Sequence, residues 1–243
     1  MARHWVGTSG WSYANWRGAF YPRGLKQGLW LAHYAERLRS VELNASFYRL
    51  PSPAFVAGWV ERTPADFLFA VKAWQLITHR KHLRDCAQHL TDFYDRLDGL
   101  GPKFGPALFQ LPPRFGVDPP RLEAFLEGLP AGRRHAFEFR DPSWHCEAVY
   151  DLLRQHGAAF CPFELAEQRT PRIVTADFVY VRLHGREGRY RGRYSPQALS
   201  GWARWLRKQM AEGRDAFVYF DNTDDATHAL DNAQQLDRML ARR

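Results

Sequence analysis

Short runs in this chain alternate between apolar and polar positions, and each run is followed by a longer one with helical spacing. From His135 to Arg140, Ala136, Glu138 and Arg140 fall on one side of an extended chain, and Phe137 and Phe139 on the other. Pro142 ends the run, and Cys146, Val149, Leu152 and Leu153 then recur at helical spacing. An unpaired charge buried on such a strand costs several kcal/mol, about the worth of a whole buried side chain, so the charged face is expected to end at a polar site.

The same unit recurs along the chain. Trp5 to Ser9 reads as a first strand, closed by the turn Gly7-Thr8-Ser9-Gly10-Trp11, and Leu31, Ala35 and Leu38 mark a helix. Ser40 to Ser46 is a second strand with Glu42 and Asn44 on one face; Phe55, Val56, Trp59 and Val60 mark its helix after Ser52-Pro53. Phe67 to Ala73 places Leu68, Ala70 and Lys72 together, before a helix with Ala87, Leu90, Tyr94 and Leu97. Ala107 to Leu111 brings Gln110 to its end before Pro112-Pro113, and Leu122, Phe125 and Leu126 form the next stripe. Ala158 to Phe163 is a sixth strand ending in Glu164, with a connection through Pro171 too short and irregular for a helix. Phe178 to Leu183 sets Tyr180, Arg182 and His184 on one face. Ser195-Pro196 caps a helix with Leu199, Trp202, Leu206 and Met210. Ala216 to Phe220 leads to Asp221-Asn222, and Ala226, Leu230, Ala233 and Leu236 close the chain with a helix.

Eight strands alternating with at least seven helices predict a parallel sheet covered by helices. A single (β/α)8 TIM-type barrel over residues 1–243 explains why polar groups gather at the C-terminal ends of the strands, where such barrels build their sites. A doubly wound open sheet is the alternative and does not require that gathering.

Composition narrows the picture. Hydrophobic residues at 45% and aromatics at 15% of 243 residues supply a core and exclude a disordered chain. A net charge of +8 suits a phosphate-bearing partner and also solubility. The three dispersed cysteines, Cys86, Cys146 and Cys161, point to a reducing compartment. Met1 to Trp11 has no signal-type apolar core, and no segment approaches the roughly 20 apolar residues of a membrane span, so a cytoplasmic protein without membrane attachment is expected. No cofactor motif is present, and the oligomeric state is not written in the pattern.

The stretches Gly7-Thr8-Ser9-Gly10-Trp11, Val41-Glu42-Leu43-Asn44 with Phe47-Tyr48-Arg49, Phe69-Ala70-Val71-Lys72-Ala73, Gln110-Leu111-Pro112-Pro113, Ala136-Phe137-Glu138-Phe139-Arg140 and Val181-Arg182-Leu183-His184-Gly185 resemble, in order, the motifs of the YecE-like family. The resemblance implies a TIM-type barrel and carries no assigned reaction. Its architecture is similar to that of metal-dependent endonuclease and sugar-isomerase barrels, an analogy of fold. Where the family has Asn-Asn-Asp after its last strand, this chain has Asp221-Asn222-Thr223-Asp224, so a role for the first asparagine does not carry over.

The strand ends collect Glu42, Asn44, Lys72, Gln110, Glu138, Arg140, Arg182, His184, Asp221 and Asn222. Core filling needs none of these types, and ion pairing of Lys72 with Glu42 or Glu138 is the structural alternative to a ligand site. The loop after the seventh strand carries Arg186, Arg189, Arg191 and Arg193 around Tyr190. Arginines offer paired bonds to phosphate, and Tyr190, Tyr194, Trp11 and Trp144 offer rings for bases or sugars. The expected partner is therefore nucleic acid or a phosphorylated small molecule, with phosphodiester or sugar-phosphate hydrolysis as the chemistry. Glu138 is the expected general acid or base, Lys72 an electrophile or proton donor, and His184 and Glu42 complete the catalytic set.

Two other classes compete. Metal-assisted hydrolysis would use Glu42, Glu138, His184, His79 and Asp221, but no local metal motif is present and Lys72 and Arg182 oppose a divalent ion. A non-catalytic binding or regulatory protein would keep the basic aromatic mouth and tolerate neutral replacement of Glu138.

Overall fold

A computed structural model describes residues 2–224 and 227–241. The fold is mixed α/β, with two five-stranded sheets. One sheet holds β1 (His4–Thr8), β10 (Asp215–Phe220), β9 (Phe178–Leu183), β7 (Phe163–Leu165) and β8 (Gln168–Arg169), in that order. The other runs β2 (Ser40–Leu43), β3 (Leu68–Lys72), β4 (Phe104–Leu111), β5 (His135–Phe139), β6 (Ala159–Phe160). All pairings are parallel except the β7–β8 hairpin. The helices are α1 (Trp30–Ala35), α2 (Ala45–Tyr48), α3 (Pro53–Glu61), α4 (Ala87–Leu97), α5 (Pro119–Glu127), α6 (Glu147–Gln155), α7 (Pro196–Ala211) and α8 (His228–Ala241). Ala226, expected in the last helix, lies outside the described residues.

Two contacts tie the sheets. Ser9, just past β1, bridges Glu42 of β2 in parallel, and the Gly10 N–H donates to the Glu42 carbonyl at 2.8 Å. On the other side, residues 159–165 serve both sheets, Ala159 and Phe160 pairing with β5 and Phe163 and Glu164 with β9. This corrects the expectation of one continuous sixth strand. Pro162 has no N–H to give, and the ladder changes partner there: Cys161 N–H donates to Phe137, and the Pro162 carbonyl accepts from Arg182 N–H. Ala166, at φ 52°, then turns the chain into the hairpin.

The strand alternation sorts residues into two cores. Phe109, Phe137, Phe139, Val181 and Val218 face the helices in the larger one. The opposite faces contribute Trp5, Ala70, Leu108, Ala136, Phe178, Tyr180, Phe217 and Tyr219 to a smaller inner core, where the Trp5 and Phe217 rings stack at 4.8 Å. Along β9, Phe178 and Tyr180 fill the inner core, and Arg182 on the same face emerges above it. Helix starts follow their caps: Ser52, Asp118 and Ser195 accept backbone N–H bonds from Phe55, Arg121 and Ala198, each with proline in the first turn. Phe55 departs from its expected core stripe, being 67% exposed in the first turn of α3. Among the described residues, no helix is long and apolar enough to cross a membrane.

Candidate functional site

Arg182 is the centre of the site. Its guanidinium is 1% exposed and grips Glu42 with two bonds, Nε to Oε2 at 2.9 Å and Nη2 to Oε1 at 2.8 Å. Nη1 donates to Glu138 Oε2 at 2.9 Å, and Nη2 reaches Asp221 Oδ2 and Ser9 Oγ, each at 3.2 Å. Glu42 also accepts from the Ser9 hydroxyl and from Tyr180 Oη at 2.6 Å. Glu138 accepts a further bond from Arg140 Nε. The ion pairing of Glu42 and Glu138, the structural alternative for Lys72, is thus made by Arg182 and Arg140.

Burial alone would raise the Glu138 carboxyl, but Arg140 and then Arg182 hold it well below the ordinary carboxylate range. Asp221 is lowered against burial by its His184 hydrogen bond and by Arg182. His184 Nδ1 lies 2.9 Å from Asp221 Oδ2, while Arg140 Nη2 lies 3.0 Å and Arg182 Nη1 3.3 Å from Nε2. Guanidinium groups only donate, so Nε2 accepts from them and Nδ1–H donates to Asp221. The three carboxylates therefore converge on the Arg182 guanidinium. Among the described residues, no group of three or more His, Cys, Asp or Glu side chains is arranged to hold a metal ion.

Lys72, at the end of β3, differs from the other cations. Among the described residues its ammonium makes no hydrogen bond or ion pair; Nζ lies 4.2 Å from the centre of the Phe47 ring. Although the residue keeps some exposure, burial of the ammonium and then the charge of Arg182 lower its pKa to about 8, against the pull of Glu138, Glu42 and Asp221. Beside it, His79 sits in a one-turn π-helix (Leu76–Arg80), pushed down to about 4 by burial and then by Lys72, His82 and Arg140. Asn44 Nδ2 donates to Ser9 Oγ at 2.6 Å, and its buried Oδ1 has no partner. Gln110 is buried, its amide donating to the Leu111 carbonyl at 2.8 Å.

Three residues expected to touch a ligand are instead structural. Trp144 is fully buried, stacked on Phe139 at 4.9 Å with its indole N–H on the Phe115 carbonyl. Tyr194 is 1% exposed and its hydroxyl accepts the Gly185 N–H. Asn222 is fully buried, donating to Gly192 and to Asn232 of α8. By contrast Arg189 and Arg191 are exposed, and Tyr190 packs edge-on to His184 with ring centres 5.8 Å apart. Trp11 lines a groove of about 650 Å³ beside Asn44, with Trp59 edge-on at 6.0 Å.

Sequence reasoning did not single out Ser9, Tyr180 or Phe47 as site residues. The period-two spacing of Tyr180 and Arg182 carried that signal for Tyr180. Ser9 and Phe47 join the site only through bonds to other segments.

Residues 5–243 match a family model described as "Protein of unknown function DUF72". The UPF0759 protein YecE of Escherichia coli K12 is 34% identical over 155 residues, 63% of this chain and 54% of that protein, so the match spans about half the relative's length. The UPF0759 protein YunF of Bacillus subtilis is 27% identical over an alignment of 275 positions, covering 97% of this chain and 94% of that protein. The crystal structure of a DUF72 family protein from Thermotoga maritima superposes with a TM-score of 0.89 at 30% identity, over 98% of this chain and 99% of that one. A DUF72 family protein from Enterococcus faecalis shares the fold, with a TM-score of 0.80 at 20% identity, over 99% of this chain and 98% of that one.

Proposed function

The chain belongs to the DUF72 family, and from that premise we propose that its strands form a (β/α)8 barrel whose mouth binds a phosphate-bearing ligand, nucleic acid or a sugar phosphate. The Ser9–Glu42 bridge and the shared segment 159–165 support closure, since each joins one sheet to the other.

The observation that carries the ligand reading is Lys72. At the strand ends Glu42, Glu138 and Asp221 are paired with Arg140 and Arg182, whereas the Lys72 ammonium feels the three carboxylates only from a distance and makes no hydrogen bond or ion pair among the described residues. A partly buried cation without a direct hydrogen-bond or ion-pair partner is costly and favours an incoming anion. The exposed Arg189 and Arg191 add charge along the approach.

The proton-transfer role expected of Glu138 passes to Lys72 in this reading. Glu138 is fully buried under two guanidinium groups, while Lys72, at about 8, exchanges its proton close to neutral pH.

The test is titration calorimetry with ribose 5-phosphate, together with anisotropy of a labelled single-stranded oligonucleotide over a salt series. Lys72→Met should weaken both ligands roughly tenfold or more, since a charge-assisted bond contributes about 1.5–3 kcal/mol. Alanine at Arg189 and Arg191 should flatten the salt dependence of oligonucleotide binding. Unchanged affinity in Lys72→Met, or no binding at low salt, overturns the assignment.

A further inference from the structure

The groove beside Asn44 is not part of the carboxylate–arginine cluster, yet it adjoins Lys72. Trp11, Tyr13, Phe55 and Trp59 give it aromatic walls, and Arg49 and Arg96 are its charged residues. Among the described residues no Asp or Glu lines it. Among the described residues the Arg49 guanidinium has no hydrogen bond or ion pair, and the Arg96 guanidinium has only a 3.3 Å bond to the Pro51 carbonyl. Its volume of about 650 Å³ lies within the roughly 300–1,000 Å³ of small-molecule sites.

One turn of helix separates the groove from the lysine. In α2, Ala45 lines the groove, Ser46 Oγ donates to the Lys72 carbonyl at 2.8 Å, and the Phe47 ring lies under the Lys72 ammonium. Asn44, at the start of that turn, lines the groove, and its buried Oδ1 is an acceptor that lacks a donor. A neutral sugar would leave both arginines without an anion. Aromatic walls with guanidinium groups and no acid are complementary to a planar base attached to phosphate.

We propose that this groove is the base-binding half of a nucleotide site, holding a nucleobase against Trp11 and Phe55 while Arg49 and Lys72 bind phosphate on either side of Asn44. The placement of phosphate at Lys72 rests on the function proposed above; the base subsite rests on the groove. The unit recognised is a base with its sugar phosphate, either a free nucleotide or one residue of a single strand.

Titration of the full chain with AMP, ribose 5-phosphate and a short oligodeoxyadenylate separates these statements. AMP should bind roughly tenfold more tightly than ribose 5-phosphate, in line with about 1–3 kcal/mol for a stacked base. Phe55→Ala and Arg49→Ala change exposed side chains and leave the core intact. Phe55→Ala should bring AMP to the ribose 5-phosphate level without weakening ribose 5-phosphate itself, and Arg49→Ala should weaken AMP. An oligonucleotide binding more tightly than AMP identifies the unit as part of a strand, and equal affinity identifies a free nucleotide. AMP that binds no better than ribose 5-phosphate, or is indifferent to both variants, overturns the base subsite. If AMP is sensitive to Phe55→Ala but not to Lys72→Met, the groove stands and the phosphate position at Lys72 falls.

Discussion

Replacing Arg182 with methionine keeps an unbranched stem and removes the charge at the centre of the cluster. The variant loses the paired bonds to Glu42, at 2.9 and 2.8 Å, and the 2.9 Å bond to Glu138, together with the longer contacts to Asp221 and Ser9. Glu42 is left fully buried with hydroxyl donors only, from Ser9 and Tyr180, whereas Glu138 keeps Arg140. Breaking a buried pair by removing one partner costs about 3–5 kcal/mol, because the desolvated charge stays behind. For a chain of this size that lowers the melting temperature by roughly 6–20 °C.

The loss should depend on pH. In the native protein Glu138 and Asp221 are held below their ordinary values, so their contribution is complete above the carboxylate range and is lost as pH falls through their lowered values. Without Arg182, burial pushes the same groups upward, and they accept protons while the native ones remain charged. The deficit should therefore be greatest at about pH 7 and smaller at about pH 5. Thermal unfolding of native protein, Arg182→Met, Glu42→Gln and the double variant at both pH values measures it. The double variant should recover part of the loss, as coupling through a shared contact requires. A change below about 2 °C in Arg182→Met at neutral pH, less than the ~1 kcal/mol of an exposed ion pair, would refute the reasoning.

Lys72→Met should raise the melting temperature while it weakens phosphate binding. An unfolded lysine titrates at 10.5 and folded Lys72 at about 8, so the cost of the unpaired ammonium is complete below the folded value and fades as pH rises towards 10.5; a stabilisation that does not diminish over that range contradicts it. Gly185→Ala should lower stability by about 2 kcal/mol or more, because Gly185 has φ +100° and an added Cβ would lie 2.0 Å from the Arg191 carbonyl oxygen. Oligonucleotide binding should weaken in the same variant as the arginine loop is displaced, and native melting with native binding would count against that account.

The charged faces of the strands were legible because they follow period two. Tyr180 and Arg182 on β9 with His184 just past it, and Ala136 and Glu138 on β5, needed only that alternation to be placed together. Loops gave no such guide. Trp144 has the type of a ligand-stacking residue, but two aromatic faces nearby, Phe139 and Phe115, draw it inward. Asn222 and Tyr194 are fixed by Asn232 on α8, through contacts spanning 10 and 38 positions that no local pattern contains. The groove escaped notice for the same reason, since Trp11, Phe55 and Arg96 come from separate segments and Phe55 matched a core stripe. The pattern also placed cations near the carboxylates without saying which would pair. That choice is made by reach: Arg182 on the inner face of β9 offers several donors in one plane, whereas Lys72 has one flexible ammonium.

This division of labour connects the cluster with the lysine. A set of buried carboxylates satisfied by one central guanidinium is stiff, because moving any member strands another in a medium of low dielectric. Such a floor is poorly suited to proton exchange, and Glu138 is the clearest case. It is well suited to holding backbone and side chains in place while one further cation is left without a direct ion pair. That cation is Lys72, seated over the ring of Phe47, which belongs to the short helix that borders the aromatic groove. If Lys72 were structural, neutralising it would destabilise the fold; as an unpaired ammonium held for a ligand, it should do the opposite. Stability and binding that move in opposite directions in Lys72→Met are the signature of a binding residue, and a parallel loss of both would return it to the framework.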